Sequence, residues 1–165
     1  MNDIAQKQGK NINVLRNDEF TAIFTMTGLR LLCNDPNIPC RLALPSDSVT
    51  VLGNIASAAL AQSTIIMDPM GFKRLLESGI IQDRAKAWEA DMCMQFGYKT
   101  KRALYQNMLS VSVRDAGGVL TFRPSRHDKL EHWKGVDESL NVVIPTDSSP
   151  DDIGNALNEA FRRCQ

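Results

Sequence analysis

Hydrophobic and polar positions alternate most clearly over residues 18–26, where Phe20, Ala22, Phe24 and Met26 fall on one side and Thr21, Ile23 and Thr25 on the other. A period of two is that of a strand with one well-buried face. Residues 29–33 are apolar and lie between Gly28 and the Asn34-Asp35-Pro36 turn signal, which predicts a second strand. Residues 34–45 carry three prolines and read as a loop, and the first dozen residues read as a loose arm.

The period changes after Ser48. Leu52, Ile55, Ala56, Ala59 and Leu60 recur at helical spacing behind the capping residues Ser46, Asp47 and Ser48. A short helix is expected over residues 70–77, closed by Ser78-Gly79. Ile81, Ala85, Trp88, Met92 and Phe96 then step along one helical face, with Asp83, Lys86, Glu89 and Ala90 opposite and Gly97 as the stop. Two alternating runs, 109–113 and 119–123, flank Asp115-Ala-Gly-Gly118 and predict a β-hairpin. Residues 141–145 form a further strand halted by proline. Ser148-Ser-Pro-Asp-Asp opens a last helix that buries Ile153, Ala156, Leu157, Ala160 and Phe161 and ends near Arg162-Arg163.

Strands and helices therefore come in runs. The expected fold is α+β, one domain over residues 1–165, with an antiparallel or mixed sheet of about five strands packed against helices. One internal echo stands out: SVTVLGN (48–54) and SPDDIGN (149–155) share Ser, an aliphatic residue, Gly and Asn at equal spacing. Glycine inside a helix costs about 0.5–1 kcal/mol against alanine. Gly53 and Gly154 thus call for a close approach of each helix to a sheet or to another helix.

Composition narrows the function. Among 165 residues, 19 Lys and Arg balance 19 Asp and Glu, so no global field draws the chain to nucleic acid or anionic membrane. No apolar run nears the roughly 18 residues of a bilayer span, and the polar start MNDIAQKQGKN lacks a signal-peptide core, so a cytoplasmic location is expected. Cys33, Cys40, Cys93 and Cys164 show no CxxC or zinc spacing and are expected to stay reduced.

Candidate chemistry is sparse. His127 and His132 stand five apart, where two ligands on one helical face need four. Residues 123–133 read instead as a polar loop and one helical turn anchored by Leu130 and Trp133. GxSxG, SxxK and the phosphate-cradling glycine loops are absent from the sequence. No catalytic residue, metal site or cofactor is expected. Basic residues do gather locally, at Lys99, Lys101 and Arg102 and again at Arg114, Arg123, Arg126, Lys129 and Lys134. With Phe96, Tyr98 and Tyr105 interleaved, residues 99–102 and 123–129 could hold phosphates and stack bases. The same residues also suit a solvated face balanced by acids elsewhere.

FGYKTKRALYQNM (96–108), PSRHDKLEHW (124–133) and SSPDDIGNAL with its continuation to Cys164 together resemble the CdiI family of contact-dependent growth inhibition immunity proteins. Leu52-Gly53, Leu60, Ser63 and Trp88 resemble the family's middle section, so the likeness spans roughly residues 48–165. It implies a binding protein and no enzyme, which neutralises the C-terminal toxin domain of a delivered effector, often a nuclease. A one-to-one cytoplasmic complex without cofactor or membrane partner is expected. A basic nuclease would favour an acidic contact surface, which points to Asp83, Glu89 and Asp91. The hairpin tip, Asp115 to Gly118, is a second candidate. A nucleic-acid-binding module using residues 99–102 and 123–129 is the alternative.

Overall fold

The computed structural model describes residues 3–165. Its first helix, Asp3–Gln8 (α1), turns through Gly9 into the strand Lys10–Arg16 (β1). Asn11 and Asn13 alternate with Ile12 and Val14, and both aliphatics are wholly buried on one face, while Leu15 is buried on the other. β1 pairs antiparallel with Thr21–Leu29 (β2) on one side and with Leu109–Ala116 (β5) on the other. The start of the chain is therefore no loose arm beyond residue 2: residues 3–12 form α1 and enter an interior strand, and residues 1 and 2 lie outside the described residues. The asparagines masked the strand because a buried amide needs partners. Here the Asn11 side chain donates to the Gln8 carbonyl at 2.8 Å, and its backbone N–H donates to Ser63 Oγ at 2.8 Å.

β2 continues through a tight turn into Leu31–Asn34 (β3), and Arg41–Ala43 (β4) pairs with the start of β2. Three helices follow, Val49–Ala61 (α2), Pro69–Glu77 (α3) and Ile80–Phe96 (α4), and then the short Lys101–Tyr105 (α5). β5 turns at Gly117-Gly118, both at positive φ (63° and 81°), into Val119–Lys129 (β6). His132–Gly135 (β7), Val142–Pro145 (β8) and Pro150–Arg162 (α6) complete the chain. The sheet has eight strands, all its pairings are antiparallel, and the main path runs β3-β2-β1-β5-β6-β7, with β4 on β2 and β8 on β6.

The five expected strands are all present, and β1, β4 and β7 extend the sheet. β4 lies within the proline-rich stretch expected to be a loop. Residues 123–133 also differ from the expected polar loop and helical turn: β6 runs on to Lys129 and hairpins into β7, and Leu130 is exposed. Trp133 remains an anchor, its indole N–H donating to the Met108 carbonyl at 2.9 Å. β2 is covered on both faces, because Thr25 buries its hydroxyl against the Ala59 carbonyl at 2.8 Å. A hydroxyl satisfied by a helix carbonyl can sit where alternation alone predicts a polar surface.

α2 and α6 cover one face of the sheet. Leu52, Ala56, Ala59, Leu157, Ala160 and Phe161 pack on Ile12, Val14, Ile23, Val111, Val113 and Phe122. The paired glycine motifs mark where these helices cross. A Cβ on Gly53 would overlap the Pro150 carbonyl oxygen, and one on Gly154 would overlap that of Val49. Each helix starts on a serine cap, Ser48 accepting from the Val51 N–H and Ser149 from the Asp152 N–H, and Thr50 hydrogen-bonds Asp151 between the two starts. The echo is thus one helix–helix contact built from both sides. Replacing either glycine by alanine gains up to about 1 kcal/mol of helix propensity but forces two backbones apart, at about 1–3 kcal/mol. Urea unfolding of Gly53→Ala and Gly154→Ala should show lower midpoints for both; unchanged midpoints would disprove the close crossing.

Candidate partner-binding surfaces

The second face of the sheet is covered only at one end. There Leu15, Phe20, Ala22 and Phe24 meet Trp88, Met92 and Phe96 of α4 and Leu104 and Tyr105 of α5. Trp88 stands edge-on to Phe24 (5.1 Å between centroids) and to Phe20 (6.1 Å). Such edge-to-face pairs add about 0.5–1.5 kcal/mol each beyond area burial. α4 ends at Gly97 with φ 74°, a left-handed stop, and Thr100 caps α5 by accepting from the Ala103 N–H at 3.1 Å.

FGYKTKRALYQNM is therefore scaffold in this region. Leu104, Tyr105 and Met108 are buried, Phe96 packs on Phe20 at 4.8 Å, and the Tyr98 hydroxyl accepts from Asn17 at 2.9 Å. The aromatic rings that could have stacked bases are spent on the core. Lys101 reaches Glu131 at 2.6 Å and Glu89 at 3.4 Å, tying α5 to the β6–β7 turn and to α4. These bonds to acids, that to Glu131 foremost, raise the Lys101 pKa.

The five candidate contact residues do not converge on one surface. Asp83 and Asp91 are exposed on α4, and Asp91 lines a groove of about 490 Å³ between α4 and the loop of residues 34–40. Glu89 turns inward: its side chain is only 14% exposed, and it accepts from the Tyr105 hydroxyl at 2.9 Å. Burial first, and then the Glu89 carboxylate, push the Tyr105 phenol well above its ordinary pKa, so it remains a donor. Asp115 is half-buried and accepts from Thr146 at 2.8 Å, while Gly118 is exposed in the β5–β6 turn. His127 stacks on Trp133 at 4.9 Å and bonds the Leu130 carbonyl at 2.9 Å, so it is engaged within the hairpin.

Among the described residues no three His, Cys, Asp or Glu side chains come together as metal ligands, and no helix is long and apolar enough to cross a membrane. All four cysteines are free; burial raises the Cys40 thiol to about 12 and also lifts Cys33 and Cys164, so these three stay protonated near neutrality.

Beyond the aromatic cluster, the same sheet face opens into a groove beneath α1, with Lys7, Arg30, Arg114 and Arg123 on its walls and Met26 and Leu32 among its apolar lining. Arg114 and Arg123 were visible as local basic residues; Lys7 and Arg30 join them only through the fold. The sequence holds no signal for Arg30, which falls inside the strand expected over residues 29–33; the structure places it in the β2–β3 turn instead.

A half-open antiparallel sheet with charged grooves defines an α+β protein. Comparison with solved structures gives the same architecture. A Neisseria meningitidis protein of unknown function superposes with TM-score 0.89 at 32% identity, covering 97% of this chain and 98% of its own. A chain of the CdiA-CT/CdiI toxin and immunity complex from Yersinia pseudotuberculosis superposes with TM-score 0.85 at 31% identity, covering 94% and 97%. The immunity protein CdiI-YPIII of Yersinia pseudotuberculosis serotype O:3 is 32% identical over 100% of this chain and 99% of that protein. The family model for CdiI, the CDI immunity protein, matches residues 10–164. The chain belongs to the CdiI family of CDI immunity proteins, and the match takes in β1, which lies ahead of the motifs that carried the resemblance.

The Glu89–Tyr105–Lys101–Glu131 network makes a structural role for Glu89 testable. Glu89→Ala leaves a buried phenol without its acceptor, at about 1–3 kcal/mol, whereas Glu89→Gln keeps an acceptor and should lose less. Urea denaturation of both variants measures this. An alanine variant as stable as the wild type would contradict the network and return Glu89 to the exposed acidic surface.

Proposed function

We propose that this chain binds and neutralises, one-to-one and in the cytoplasm, the C-terminal toxin domain of a contact-dependent growth inhibition effector, and that this toxin is a nuclease. The observation that carries the reading is that the family match spans nearly the whole chain, residues 10–164, and is joined by a solved toxin and immunity complex of the same fold at TM-score 0.85. Neutralisation by binding asks for a rigid scaffold with an open face, and two aromatic-aliphatic cores supply the rigidity here.

An inhibitor that must hold a toxin at low concentration needs nanomolar affinity, about −12 kcal/mol. That typically takes roughly 1,600 Å² of interface, so more than one patch takes part. Asp83 and Asp91 offer free carboxylates toward a basic toxin, and Asp115 with Gly118 offers an exposed turn. Glu89 contributes by holding α4 in place. The nucleic-acid alternative is weakened because Phe96 and Tyr105 are committed to packing and Tyr98 to Asn17.

The test is to look for a large secreted filamentous protein encoded immediately upstream and to co-express its C-terminal domain with this chain. Cells should survive the toxin domain only when this chain is present, and titration calorimetry of the purified pair should give one site of nanomolar Kd. Death despite co-expression, with no heat of binding, would contradict the proposal.

A further inference from the structure

The open end of the second sheet face is charged in a way that folding alone does not account for. Arg114 pairs with Thr121 across β5 and β6, and Ser112 pairs with Arg123, so the two arginines are diagonal neighbours on one face. Like charges placed this way on a sheet repel. No acid among the described residues lies within ion-pair reach of Arg30, Arg114 or Arg123; Lys7 alone has one, Asp3 at 2.8 Å. Asp115 sits next to Arg114 in sequence but alternates to the other face, where it holds Thr146.

Arg30 adds an independent observation. It is the one residue other than glycine with positive φ among the described residues, at 64°. An L-residue in that conformation is strained, and asparagine or glycine would relieve it. The turn is fastened by Gln8, whose side chain accepts from the Arg30 N–H at 2.7 Å and donates to the Gly28 carbonyl at 3.1 Å. A strained backbone is held in place, and the side chain it carries lines the groove.

We propose that this groove of about 450 Å³ is a docking site for an acidic segment of the toxin domain. Arg114 and Arg123 clasp its carboxylates in fork geometry, Arg30 and Lys7 close the rim, and a neighbouring apolar side chain rests on Met26 and Leu32. This rests on the toxin-binding reading above. The groove lining contains no Phe, Tyr or Trp, so a single-stranded nucleic acid would find cations but no stacking platform. The chemistry therefore favours a peptide carboxylate over a phosphate backbone.

The experiment measures Kd for the purified toxin domain against wild type, Arg114→Glu/Arg123→Glu, Arg114→Gln/Arg123→Gln and Arg30→Asn, each with its Tm. The charge reversal should weaken binding by about 100-fold. The neutral pair, which keeps similar stems over the sheet, should lose about tenfold. Arg30→Asn should bind less tightly while its Tm holds or rises, a split that a merely structural role would not produce. Wild-type binding left unchanged by both double variants would overturn the groove and leave the toxin-binding reading intact. Absence of wild-type binding would overturn both. A labelled single-stranded RNA that binds wild type, and is released by the charge reversal while toxin affinity stays the same, would overturn the proposal in favour of nucleic acid.

Discussion

The structure depends on one strand. Along β1, Ile12 and Val14 point into one core and Leu15 into another, so the sheet must be covered on both faces around it. α2 and α6 cover the first face by crossing closely at Gly53 and Gly154. The second face is covered differently. Aromatic residues of α4 and α5 reach the Leu15 end of β1, and at the other end Asn11 has only the single turn and a half of α1 above it. Because β1, β2, β5 and β6 are held in antiparallel register, Met26, Ser112, Arg114 and Arg123 all fall at that same open end.

This division links scaffold to function. One half of the second face is closed by aromatic packing and by the Glu89–Tyr105–Lys101–Glu131 network, which join α4, α5 and the β6–β7 hairpin into one rigid unit. The other half keeps its arginines apart from acids. Arg114 and Arg123 are exposed there, and as diagonal like charges they repel rather than strengthen the sheet, which is the ground for the docking proposal. The exposed charges of α4 are mixed, Asp83 and Asp91 standing with Arg84 and Lys86, so the arginine cluster at the open end has no such balance and stands apart from it.

Much of the fold was legible in the sequence. Period-two alternation found β2, β5 and β6, and helical spacing with serine caps found α2 and α6, because each buries an apolar set at regular intervals. The glycine echo pointed to a close helix approach, and the crossing at Pro150 and Val49 is that approach. β1 escaped because asparagines occupy alternate positions and only tertiary partners make them burial-compatible. β7 escaped because its pattern HWKG reads as polar, and its pairing with β6 carries a register shift between His127 and Lys129. The site was less legible. Glu89 lay on the polar side by helical periodicity, yet α5 packs there and takes its charge. The groove draws its cations from α1, the β2–β3 turn, β5 and β6, and no local pattern reports such an assembly.

The central claim is that this chain meets a toxin domain through the open end of the sheet. Amide hydrogen exchange with and without the purified toxin domain tests it most directly. The account predicts new protection in residues 28–32, 112–116 and 119–123 on complex formation, with α2 and α6 unchanged. Protection confined to α2 and α6, with the open end exchanging as in the free protein, would contradict it.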